Sequence, residues 1–164
     1  NILKIALKYK PNYVCIVPEK RKEITTESGL NLFKNKNKIS RMLLKLNNNK
    51  IRTSLFINAN KKNIILAKKL NSDCVELHTG KLTDLIKSNK NYLNELNKIK
   101  SSSKLAKSIG LAVHAGHGID FKSLKILNKV NEIEEFNIGH FIIGQSIFDG
   151  FKMIIKKFIK LSNN

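Results

Sequence analysis

Short apolar runs alternate with amphipathic stretches along the whole chain, and this alternation limits the fold more than any other feature. Tyr13-Val14-Cys15-Ile16-Val17 ends at Pro18, and Thr53–Ile57, Cys74–His78, Leu111–Ala115 and Glu135–Ile138 are similar runs. Their length and bounding residues predict strands, the first of them buried and the last short. Between them the spacing predicts helices. Ile39, Met42, Leu43 and Leu46 recur at i, i+3, i+4 and i+7, and Ile64, Ala67 and Leu70 mark residues 61–70. Residues 83–109 are expected to be mostly helical with a break at the serines 101–103, and residues 121–129 form a further helix. A last helix over 142–161 carries Phe151, Ile155, Phe158 and Ile159 on one face. Residues 1–9 read as a leading helix that stops before Pro11, and residues 18–32 as a polar loop.

Strands alternating with helices imply a parallel sheet with right-handed crossovers. A doubly wound sheet and a β/α barrel both satisfy the pattern. A barrel spends about 31 residues on each βα unit, so five units need about 155, close to the 164 present. Residue 1 is Asn, and the stripe Ile2, Leu3, Ala6, Leu7 begins with no cap ahead of it. The chain therefore reads as a single domain entered partway through a helix, a piece of a longer protein.

The formal net charge of +19 raises nucleic-acid binding as an alternative. Against it, 28 of the 31 basic residues are Lys, spread along the chain, and only Arg21, Arg41 and Arg52 carry the planar fork that reads phosphates and bases. Asn occurs 21 times, so Lys, Asn and Ile together point to an AT-biased coding sequence whose lysines sit on solvated faces. The positive field still favours anionic small molecules. No apolar run reaches the length of a membrane span. Cys15 and Cys74 are too few for a metal cluster or a disulfide framework and read as small core residues in a reducing compartment.

All four histidines, His78, His114, His117 and His140, fall in or just after predicted strands, where both architectures keep their chemistry. Imidazole titrates near neutral pH and suits proton transfer. In His114-Ala115-Gly116-His117-Gly118-Ile119-Asp120, two glycines let the backbone turn tightly beside a ligand, and Asp120 can cap the following helix. The N–H groups of such a turn form an anion site, with His117 beside it. Gly139-His140 repeats the idea in the next turn. If these are the last two strands of a barrel, the pair matches the usual barrel phosphate site. Glu76 alternates with Val75 and Leu77, so it faces a barrel interior, where a carboxylate is costly unless paired or functional. A structural ion pair is the other reading of Glu76, and His78 shares its parity as a candidate partner. In the charged loop from Pro18 to Glu27, Thr25 or Thr26 can bind a hydroxyl or phosphate oxygen.

Four segments together resemble one family. Val17-Pro18-Glu19-Lys20-Arg21 followed by Thr25-Thr26-Glu27, then Glu76-Leu77-His78-Thr79-Gly80, Ala115-Gly116-His117-Gly118 and Asn137-Ile138-Gly139-His140 resemble, in order and approximate spacing, the motifs of pyridoxine 5′-phosphate synthases. The resemblance runs from Asn1 to about Leu161. It implies a (β/α)8 TIM barrel of which only the last five βα units are present after a leading helix, the first three or so being missing. It also implies a cytoplasmic homo-oligomer that needs no metal or organic cofactor. The implied reaction condenses 1-deoxy-D-xylulose 5-phosphate with 3-amino-2-oxopropyl phosphate to pyridoxine 5′-phosphate, phosphate and water. By resemblance, His117 is the proton donor, Glu76 the transition-state-stabilising carboxylate and Thr25 a contact to the deoxyxylulose phosphate. Gly118, Gly139 and His140 hold the aminoketone phosphate. Three positions depart from the family pattern: His114 stands for an asparagine, Ser28 for a glycine and Gln145 for an arginine.

Overall fold

A computed structural model describes residues 2–18 and 28–162. Thr25, Thr26 and the rest of the charged loop from Glu19 to Glu27 lie outside the described residues. The elements run α1 (Ile2–Tyr9), β1 (Tyr13–Ile16), α2 (Lys36–Asn48), β2 (Arg52–Ile57), α3 (Lys61–Lys69), β3 (Cys74–His78), α4 (Gly80–Lys87), α5 (Leu93–Ser108), β4 (Ala112–Gly116), α6 (Phe121–Leu127), β5 (Glu135–Asn137), α7 (His140–Asp149) and α8 (Phe151–Ser162).

The strands form one parallel sheet in the order β1-β2-β3-β4-β5. This order decides between the two architectures. A doubly wound sheet reverses its strand order at a switch point and places helices on both faces. Here each crossover steps the same way, and right-handed crossovers then put every connecting helix on one side. The outcome is a curled half-barrel.

The register sorts residues by parity. Ile16, Leu55, Ile57, Val75, Leu77 and Val113 join the core cluster with Ile39, Leu43, Leu46, Ile64, Leu82, Ile99 and Leu124 of the helices. The alternate set, Tyr13, Cys15, Ser54, Phe56, Cys74, Glu76, His78, His114, Glu135 and Asn137, faces the concave side. Two contacts measure the curl. The Tyr13 hydroxyl on β1 lies 3.1 Å from His114 Nδ1 on β4, and the Cys15 thiol on β1 reaches Glu76 on β3. In a flat sheet β1 and β4 would stand about 14 Å apart, and β1 and β3 about 10 Å.

Two helical expectations change. The break in the long helical stretch falls at residues 88–92, not at the serines. Asn89 sits at φ 51°, a left-handed conformation that asparagine tolerates and that ends α4. Ser102 and Ser103 instead lie buried inside α5. The expected last helix is two helices, because Gly150 takes φ 79° between Asp149 and Phe151. On α8 the buried face is Ile154 and Phe158, while Phe151 and Ile159 are exposed.

Leu55, fully buried on β2, is expected to carry much of the sheet-to-helix packing. Leu55→Ala should lower the unfolding free energy by about 2–5 kcal/mol in urea denaturation, and a change below about 0.5 kcal/mol would contradict this core assignment.

Candidate active site at the C-terminal ends of the strands

Backbone geometry makes the turn after β4 unusual. His117 takes φ 83°, a left-handed conformation rare for a side-chain-bearing residue, and Gly118 follows at φ 73°. Two successive positive φ values redirect the chain into Asp120, whose carboxylate accepts the Ser123 N–H at 2.8 Å and caps α6. The turn is tied to its neighbour. The buried Thr79 hydroxyl, at the end of β3, lies 2.8 Å from the Gly116 carbonyl and 2.6 Å from that of His117. The Thr79 N–H donates to the same Gly116 carbonyl at 2.9 Å. Lys87 Nζ donates to the Gly118 carbonyl at 2.8 Å. A Cβ at residue 118 would overlap the Thr83 hydroxyl, so only glycine fits.

Two of the predicted residues come together around this turn with a third. The His117 ring stacks on His78 with centroids 4.8 Å apart and planes 28° from parallel. His78 in turn meets the Phe56 ring edge-on at 5.3 Å. Glu76 lies two residues before His78 on the same face of β3, and its carboxylate occupies space that a Cβ at Gly116 would invade. Its hydrogen-bond partners are the Cys15 thiol at 3.4 Å and the Asn137 side chain. Burial raises the Glu76 carboxyl above its ordinary range, opposed by those two hydrogen bonds and reinforced by the charge on Glu135. The Cys15 thiol is pushed up to about 12, first by burial and then by Glu76, so it stays a neutral donor.

Gly118, Gly139 and His140 meet His117 in a second feature, a cavity of about 360 Å³ also lined by Asp84, Lys87 and Asn137. Gly139 is the N-cap of the ten-residue α7 and His140 its first residue, and no side chain among the described residues caps that helix start. The open N–H groups and the dipole of α7 give the cavity the character of an anion site. His117 also lines a neighbouring cavity of about 460 Å³ with His78, Gly80, Lys81 and Asp84. Burial holds the His117 imidazole below its ordinary value. Asp84 opposes this, while Lys87 and His140 add to it. Among the described residues, no group of three or more His, Cys, Asp or Glu side chains could hold a metal ion.

His114 stands one strand from Glu76 in register and is the buried member of a separate group. Its Nδ1 lies 3.1 Å from the Tyr13 hydroxyl and 3.3 Å from Glu135, and the two rings stack at 5.7 Å. Burial lowers its pKa, with Glu135 opposing. Sequence reasoning missed Tyr13, Cys15, Thr79, Asp84 and Lys87. The shared parity of Tyr13 and Cys15 was the available signal for two of them; Thr79, Asp84 and Lys87 act across elements that only the fold brings together.

The two lowered histidines have a pH consequence. Unfolded imidazoles titrate near 6.5, so below that pH the unfolded chain takes up protons that the buried His114 and the half-buried His117 resist. Their contribution makes stability fall as pH drops through this window. The His117 ring carbon resonances should titrate with a midpoint below 6.5, and a midpoint at or above it would contradict the burial described here.

Comparison with known proteins agrees with this geometry. The family model described as "Pyridoxal phosphate biosynthesis protein PdxJ" matches residues 1–164. The chain is 58% identical to the pyridoxine 5′-phosphate synthase of Pelagibacter ubique over 99% of its own length and 68% of that relative. It is 42% identical to the synthase of Zymomonas mobilis, over 95% of this chain and 60% of that one. For Chlorobium phaeobacteroides the values are 41%, 96% and 66%. The chain thus spans 60 to 68% of the length of these three relatives.

Proposed function

The chain belongs to the PdxJ family of pyridoxal phosphate biosynthesis proteins, and from that premise we propose that it carries the proton-donating and phosphate-holding part of a pyridoxine 5′-phosphate synthase. The reaction is the condensation of 1-deoxy-D-xylulose 5-phosphate with 3-amino-2-oxopropyl phosphate, yielding pyridoxine 5′-phosphate, phosphate and water. The observation that carries the reading is the convergence of His117 with Gly118, Gly139 and His140 on one cavity at the start of α7.

The roles follow from the chemistry. Imine formation, dehydration and ring closure each move protons, and His117 is the donor. In the free protein its lowered pKa keeps the ring largely neutral at pH 7. A phosphate dianion seated against Gly118, Gly139 and His140 would favour the imidazolium. Substrate binding thereby loads the proton that the reaction spends. Glu76, held on the concave face by Cys15 and Asn137, stabilises cationic character that develops on the imine-bearing substrate. To Thr25, outside the described residues, the proposal assigns the contact to the deoxyxylulose phosphate.

The sheet supports a wider proposal. Among the described residues, β1 and β5 each pair on one side only. These five βα units are the last five of an eight-stranded barrel, with about three further units completing the interior and supplying the remaining acid–base groups. We extend the proposal to a cytoplasmic homo-oligomer. No helix among the described residues is long and apolar enough to cross a membrane, and Ile143, Ile147 and Phe148 leave an apolar face of α7 exposed.

His117→Ala in the full-length protein should cut product formation at least about 100-fold, with Glu76→Gln also strongly impaired. The check is pyridoxine 5′-phosphate and phosphate release from the two substrates. Turnover like the wild type in His117→Ala would overturn the assigned donor.

A further inference from the structure

We propose that His78 is a positioning residue for His117: its ring, set between Phe56 and His117, fixes the direction in which His117 presents its nitrogen. The proposal rests on the reading of His117 as the proton donor. Three independent features of the geometry meet on this pair.

The first is the ring column. Phe56 stands edge-on to His78, and His78 lies nearly parallel to His117. The plane of the His117 ring is thereby referred back to β2 and β3, two strands of the rigid sheet, rather than to its own turn. The second is the space kept for the pair. A Cβ at Gly80 would come within 2.7 Å of His78 Cε1 and 2.9 Å of His117 Cδ2, so a side chain there would push both rings from their places. The third is what the ring would do unsupported. The His117 backbone is fixed by its strained φ and by the Thr79 hydroxyl against its carbonyl. Its remaining freedom is side-chain rotation, and the ring stands where two cavities adjoin. Rotation toward the larger cavity would turn the donor nitrogen away from the α7 anion site. The stack with His78 opposes that rotation. Misplacement of a reacting group by about 1 Å costs about 100-fold in rate, so a flank that holds the ring acts on catalysis without touching substrate.

A ring of either chemistry at residue 78 can supply the flank, and this separates positioning from proton transfer by His78 itself. In the full-length protein, His78→Phe is expected to keep kcat within about threefold of wild type, whereas His78→Ala and His78→Gln should lower it about 10- to 100-fold, with KM for both substrates nearly unchanged. In parallel, ring resonances of His117 in the same full-length protein should keep their ring-current shifts in His78→Phe and move toward free-histidine values in His78→Ala and His78→Gln. Wild-type kcat with unmoved His117 resonances in the ringless variants would overturn the proposal. Loss of activity in His78→Phe as severe as in His78→Ala would overturn it too, by assigning His78 a proton of its own. His117→Ala, assayed alongside, separates the two readings. If it retains turnover, the donor assignment fails, while the resonances still decide whether His78 orients the ring.

Discussion

Parallel register is the constraint on which the rest depends. Phe56, Glu76 and His114 are direct partners across β2, β3 and β4, and His114 pairs with Glu135 on β5. Each neighbour in sequence points the other way into the apolar layer under the helices. A slip of one residue between any two strands would bury the polar row among leucines and expose the core. The hydrophobic effect on the convex side thus holds a row of ionisable groups on the concave side, where they would not gather on their own. Burying Glu76 there carries a cost, offset by the Cys15 thiol and the Asn137 side chain.

Strand ends then convert this register into chemistry. The pairing of His78 with Gly116 brings the end of β3 against the turn after β4, so Thr79 can hold the His117 carbonyl and His78 can face the His117 ring. One strand further, the pairing of Gly116 with Asn137 brings the start of α7 within reach of the same imidazole. Glycine at 80, 116 and 118 leaves room for the neighbouring side chains. The strain at His117 is carried by a turn anchored on both sides, by Thr79 and by the capped α6.

Much of this was legible in the residues. The five expected strands are the five strands of the sheet; His117, Gly118, Gly139 and His140 stand just after the C-terminal ends of β4 and β5, and Glu76 lies inside β3 on the face that alternation required. The choice between barrel and doubly wound sheet was not legible, because strand order is a property of pairing and not of periodicity. The serines at 101–103 suggested a break by composition, but small buried residues also let α5 pack closely, and that use prevailed. Gly150 lies inside a strongly periodic stretch that hides the break, and its positive φ splits α7 from α8. The Tyr13, His114 and Glu135 group was invisible for a different reason. Its members are more than 20 residues apart along the chain, and only the curl of the sheet brings a β1 hydroxyl to a β4 imidazole. The lysine excess has a local use in part: Lys81 and Lys98 both pair with Glu95 on solvated helix faces.

The central claim is that His117 and the start of α7 form one anion-responsive unit. Titration of the isotopically labelled protein with inorganic phosphate near neutral pH tests it most directly. The account predicts concerted shifts of the Gly118, Gly139 and His140 backbone amides, together with a rise in the titration midpoint of the His117 ring. Shifts confined to other parts of the surface, with the His117 midpoint unmoved at saturating phosphate, would contradict it.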